Sequence, residues 1–193
     1  MSQLTKTIIG LIFFIILKIN SVVYSQEFAP DTAIVGVNLL DAGSVIMHYG
    51  DKLWEKLIED DEMYKVIALN NKKNQKLELI VHHGANKNEF SEFKISHFYN
   101  KIQKCDHVIV LHDIDSFITQ KGIKLGISRL ALEDKLKMKN LKEEINQKGE
   151  LVLSFSKELN DSFLGRYNMP EYYGIYTFKN NKLIEFSFGF IVP

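Results

Sequence analysis

The chain has 193 residues with 24 basic and 24 acidic side chains, a formal net charge of zero. With no basic excess to gather on one face, a nucleic-acid partner is not expected. The one cysteine, Cys105, cannot close an intramolecular disulfide, so the fold must be held by its core, which a 46% apolar composition can supply.

Lys6 precedes the apolar run Ile8 to Leu17, and Val23 and Ser25 put small side chains at the two positions read ahead of a cut before Gln26. At ~1.5 Å per helical residue the run covers ~15 Å, half of a ~30 Å hydrocarbon core. Lys18 then closes it, which predicts a cleaved secretory signal over residues 1–25. A retained anchor through Val22 and Val23 would require Lys18 to snorkel. No cysteine follows the run to take a lipid, so the mature chain is expected in the periplasm or outside the cell. Cleavage removes Lys6 and Lys18 and no acid, so the balanced chain becomes acidic by two.

Residues 26–32 read as an extended tail. Ala33 to Leu40 is short, apolar and β-rich, and Asp41 or Ser44 can cap a helix after it, because a short side-chain oxygen satisfies free N–H groups there. Val45, Ile46, Tyr49, Leu53, Trp54, Leu57 and Ile58 follow at helical spacing, with Gly50 a candidate break and the acidic run Glu59 to Glu62 as the end. Strands come next: Tyr64 to Leu69, Leu77 to His82 after a polar turn, Glu92 to Phe98, and His107 to Leu111.

The pattern then restarts. Gly122-Ile123-Lys124-Leu125 echoes Gly36-Val37-Asn38-Leu39, and Ser128 opens a helix carrying Leu132 and Leu136, flanked by Ile127 and Leu130. A strand at Leu151 to Phe155, a loop through Asn168-Met169-Pro170 and a hairpin complete it. In that hairpin Tyr172 to Phe178 and Leu183 to Phe190 flank Asn180-Asn181, which tolerate the positive φ of a tight turn. The expected fold is α+β, two related helix-on-antiparallel-sheet modules in tandem over residues 33–112 and 113–193.

The stretch Gly122 to Ser128, running into Leu132-Glu133-Asp134-Lys135-Leu136, resembles the opening of small secreted bacterial modules. These include the SmpA/BamE outer-membrane-assembly lipoproteins and the β-lactamase inhibitor protein. Their fold is a helix packed on a small antiparallel sheet, in tandem in the latter. Lys137 stands where that pattern has glycine, and Leu40 stands where Gly126 does. The segment from Tyr172 to Pro193 resembles the end of uncharacterised secreted bacterial proteins, which brings no activity. The resemblance implies protein recognition without catalysis.

No catalytic motif competes with that expectation. Neither G-x-S-x-G nor S-x-x-K occurs, and the paired acids of Glu59 to Glu62 and Glu143-Glu144 read as solvated helix ends. His82 and His83 point to opposite faces of a strand and cannot share an ion. His107, His112, Asp113 and Asp115, with Asp106 nearby, are metal-ligand types without a metal-site spacing, and they define the alternative reading, a small metal-assisted hydrolase. Cys105 beside His107 lacks a third orienting member and reads as a small buried hydrophobe. A third reading, a carrier of a small apolar ligand, needs an enclosed apolar cavity.

The aromatic final segment is the best interaction candidate. Tyr172, Gly174, Tyr176 and Phe178 share one strand face, and Tyr173, Ile175 and Thr177 the other. One face must be core, and tyrosines on the free face, Tyr172, Tyr173 or Tyr176 with Arg166 nearby, suit binding of a protein partner. No cofactor is expected.

Overall fold

Alternation of apolar and polar residues builds all but two of the described strands into one sheet. The computed structural model describes residues 29–60, 63–70, 72–82, 85–98, 107–138, 141–158 and 162–191. The expected secretory signal, His83, Cys105 and Asp106 lie outside the described residues.

Two short strands, β1 (Ala33–Ile34) and β2 (Val37–Asn38), form a hairpin that turns at Val35 and Gly36, both at positive φ. Helix α1 (Ala42–Tyr49) starts at Asp41, whose carboxylate accepts from the Ser44 N–H at 3.2 Å. Gly50, at φ 81°, ends it, and a 3-10 helix covers Asp51–Lys56. Strands β3 (Ile58–Asp60), β4 (Met63–Asn70), β5 (Gln75–His82), β6 (Glu92–His97) and β7 (Val108–Val110) follow. The second half contains α2 (Arg129–Leu136), β8 (Lys142–Ile145), β9 (Leu151–Glu158), α3 (Ser162–Tyr167), β10 (Glu171–Lys179) and β11 (Lys182–Ile191).

The main sheet runs β3-β4-β5-β6-β11-β10-β9-β8, antiparallel throughout, with β7 added parallel to β4. Each half of the chain thus supplies four consecutive strands, and β6 joins β11 in the middle. Helices on a mostly antiparallel sheet make an α+β fold.

Several local expectations change. Ile58 and Glu59 belong to a strand rather than the end of a helix, and Glu143 and Glu144 sit in β8 rather than at a helix terminus. Strand β8 is an exposed edge, so no apolar alternation marks it. Helix α3, just ahead of the expected loop at Asn168-Met169-Pro170, has six residues, too few for a helical period to register. Ile46 and Leu130 lie in solvent, so the apolar faces of α1 and α2 are narrower than their sequences imply.

One face of the sheet carries the core. Val66, Leu77, Leu79 and Ile95 share one buried cluster with Val45 of α1 and Leu132 of α2, and Phe93, Phe186, Phe188 and Phe190 belong to it too, Phe190 against α3. Phe163 of α3 meets Tyr172 edge-on at 5.5 Å and stacks on Phe190 at 5.9 Å. Each such buried side chain contributes roughly 1.5–3 kcal/mol. Gly174 leaves the space that Phe155 fills, since a Cβ there would lie 2.6 Å from the Phe155 ring.

A polar clasp ties the N-terminal segment to this layer. The buried Asp31 carboxylate accepts from the Thr119 hydroxyl and the Lys121 N–H, each at 2.7 Å, and its backbone carbonyl accepts from the Tyr172 hydroxyl at 2.6 Å. Burial raises the Asp31 pKa, and the Thr119 and Lys121 bonds oppose that rise. Removing the carboxylate orphans the buried Thr119 hydroxyl and the part-buried Lys121 N–H, so Asp31→Ala is expected to cost about 2–3 kcal/mol in urea unfolding. A loss under ~1 kcal/mol would show that the clasp carries little of the fold.

Helix α2 ends on Lys137 in the left-handed region, at φ 54° and ψ 31°, with its N–H donating to the Glu133 carbonyl. Glycine has no Cβ penalty in that conformation. Lys137→Gly is therefore expected to raise stability by about 0.5–1 kcal/mol, read as a higher denaturation midpoint at unchanged slope.

Candidate functional site

Strand β10 sorts the terminal tyrosines. Tyr172 and Tyr176 are 0% and 1% exposed and belong to the core, so neither can meet a partner. The physical reason lies in β10 itself: its even-numbered residues face the helices, and the Tyr172 hydroxyl has the Asp31 carbonyl to satisfy it. Tyr173 lies on the opposite face, half-buried, beside Ile175, which is 40% exposed. Arg166 is exposed on α3 with its guanidinium 5.7 Å from the Phe163 ring centre, on the helix side of the sheet. Sheet and core thus separate it from Tyr173.

The face turned away from the helices is organised by register. Reading straight across five strands, Lys94 pairs with Ser187, Ser187 with Ile175, Ile175 with Ser154, and Ser154 with Lys142. The parallel row on one side reads Glu92, Gly189, Tyr173 and Ser156. On the other side it reads Ser96, Glu185, Thr177, Val152 and Glu144.

These rows floor an open hollow of about 920 Å³, lined by Glu92, Lys94, Tyr173, Ile175, Ser187 and Lys142 among others. Beside it a second hollow of about 500 Å³ contains Ser96, Thr177 and Glu185. A third of about 350 Å³ lies over Lys65, Lys76 and Glu78 and shares Glu92 and Lys94 with the first.

Two carboxyls in this face are withdrawn from water. Glu78, 8% exposed at its side chain, lies 3.5 Å from the Lys65 ammonium and 3.2 Å from that of Lys76. Glu92 takes a hydrogen bond from the Tyr173 hydroxyl, which also bonds to Ser187. Gly189 sits between Glu92 and Tyr173 in the row, and a Cβ there would fall 2.3 Å from the Ser91 carbonyl oxygen and 2.6 Å from the Glu92 Cα. Only glycine permits this approach of β6 to β11, and its missing side chain leaves the span that the tyrosine crosses.

Burial holds the Glu92 pKa above its ordinary value, with Glu78 adding to the rise while the Tyr173 bond and Lys94 oppose it. Burial also raises the Tyr173 pKa, reinforced by the Glu92 charge.

The four metal candidates are not brought together. His107, His112, Asp113 and Asp115 are all exposed, and Asp115 is engaged by the Lys72 ammonium at 3.0 Å. Among the described residues, no group of three or more His, Cys, Asp or Glu could hold an ion. Glu143 is held by Arg129 on the helix side. Among the described residues, too, no helix is long and apolar enough to cross a membrane.

The sequence reading passed over Glu92, Lys94, Lys142, Ser154 and Ser187. Their signal was the polar half of each strand's alternation, which marks a free face only once the covered one is known. Compared with known proteins, the chain matches no family model, no curated protein and no solved structure.

Glu92 generates a pH test. Because its folded pKa is raised, the folded state holds the proton more tightly than the unfolded chain does. That advantage is complete below the ordinary value of 4.5 and is lost as pH rises through the folded value. Glu92→Gln carries no such loss. Its stability relative to the natural protein is expected to improve between pH 4 and pH 8, as read by urea denaturation at each end. Equal pH dependence of the two proteins would show that Glu92 titrates as it does in the unfolded chain.

Proposed function

We propose that the protein is an exported, non-enzymatic recognition protein that meets a partner protein with the open face of its sheet. The observation that carries this reading is the sidedness of the fold. Both longer helices, α3 and the Asp31 clasp all lie against the aromatic face. The other face keeps its hollows, the half-buried Tyr173 and the exposed Ile175 and Ile191. Aromatic and aliphatic groups surrounded by hydroxyls and charges match the composition of protein interfaces. Export follows from the signal expected over residues 1–25.

The same reading takes the two halves as copies of one module. Gly36 and Gly122 both have positive φ, as do Leu40 and Gly126, the pair at which the sequence departs from its own echo. The Leu40 N–H donates to the Phe90 carbonyl just ahead of β6, and the Gly126 N–H to the Leu183 carbonyl at the start of β11. Each half then has an eight-residue helix ending on a residue of positive φ, Gly50 or Lys137. The metal-hydrolase alternative finds no such support, because its four residues are dispersed in solvent.

A photo-crosslinking amino acid tests the assignment of the face. Placed at Ile175 on the open face, it is expected to trap a protein from the native envelope extract. At the exposed Leu130 on the helix side, it is expected to trap none. Equal trapping at both sites, or trapping only from Leu130, would reject the open face as the meeting surface.

A further inference from the structure

The open face is striped by charge. Over the five strands from β6 to β8, Lys94 and Lys142 bound one cross-strand row with Ser187, Ile175 and Ser154 between them. Beyond Lys94 the row continues on β5 to the buried Glu78, with which Lys76 of the neighbouring row pairs. Four strand spacings separate Lys94 from Lys142, ~19 Å of backbone. In the row two residues further along the strands, ~7 Å away, Ser96 takes the β6 position, Glu185 stands one strand further in on β11, and Glu144 takes the β8 position. The stripes are bridged within the molecule: Lys94 lies 3.2 Å from Glu185, and Lys142 lies 3.6 Å from Glu144.

All four of these side chains are more than a third exposed, so the pairs contribute little to the fold and can be exchanged for pairs with another molecule at small cost. On β10, at the middle of each row, Ile175 and Thr177 leave an apolar-to-neutral floor to the hollows.

We propose that the partner presents an α-helix lying across the strands, with acidic side chains along the flank above Lys94 and Lys142 and basic side chains along the flank above Glu185 and Glu144. The inference rests on the open-face reading and names the chemistry of the partner. Two dimensions favour a helix. Its diameter of ~10 Å lets opposite flanks straddle rows ~7 Å apart, and ~13 helical residues cover the ~19 Å from one lysine to the other. A wholly acidic segment would be met by the glutamate stripe and a wholly basic one by the lysine stripe, so charge complementarity selects an occupant carrying both. Like charges set against each other suppress wrong partners in the same way.

The test uses the full chain as bait for a phage-displayed library of helical peptides, with the enriched peptide synthesised as the probe. Enriched sequences are expected to carry acids on one flank and bases on the other, and to lose binding to Ile175→Arg. The double variant Lys94→Glu with Lys142→Glu is expected to weaken the probe by at least about tenfold, and a probe with its acidic flank changed to lysine to regain most of that loss. Circular dichroism of each variant checks that these surface changes leave the fold intact.

Probes blocked by Ile175→Arg but indifferent to charge reversal would overturn the striped helix and leave the open face standing as a binding surface. Displacement of the probe by heparin through the lysines alone, without a part for Glu185 and Glu144, would assign the face to a polyanion instead. No enriched peptide sensitive to Ile175→Arg would overturn both readings.

Discussion

The pairing of β6 with β11 governs everything else in this molecule. Phe93 opposite Phe188 and Ile95 opposite Phe186 set its register, and the two phenylalanine rings meet edge to face at 5.6 Å. Because side chains alternate with a period of two, a slip of one residue in either strand would send Lys94 or Ser187 into the core and the neighbouring Phe93 or Phe188 into water. That register turns two four-stranded halves into one sheet with one aromatic and one polar face. At Gly189 the β6 backbone leaves no room for a side chain.

Charge is handled differently on the two sides of that sheet. On the covered side, Asp31 is compensated by a hydroxyl and a backbone N–H, and it joins segments that are far apart in sequence. On the open side, Glu78 is clamped by two lysines and Glu92 by a tyrosine, with exposed ion pairs around them. Buried polar groups of the first kind are costly to disturb, whereas the exposed pairs of the second kind are cheap to exchange.

Much of the fold was legible in the residues. The caps at Asp41 and Ser128, the break at Gly50, the β4–β5 hairpin and the β10–β11 hairpin all have strong local causes: a short side-chain oxygen, a positive φ, or alternation. Elements without a local cause were missed. Strand β8 is held by pairing with β9 alone and α3 by packing of Phe163 and Leu164 into the core, and neither leaves a period in so few residues. The candidate site fared less well. Alternation separates Tyr173 from Tyr172 and Tyr176 without saying which set is free, and Arg166, near them in sequence, stands on the far side of the sheet.

The amino-acid sequence by itself determined which side chains share a face of each strand, where the helices begin, and that no disulfide could brace the chain. Only the tertiary structure decided which face is covered and which residues of distant strands stand in line. Alternation is symmetric, so it divides a strand into two sets without saying which set meets the helices. The row from Lys94 to Lys142 draws its members from five strands, and long-range pairing of that kind leaves no mark in any single segment.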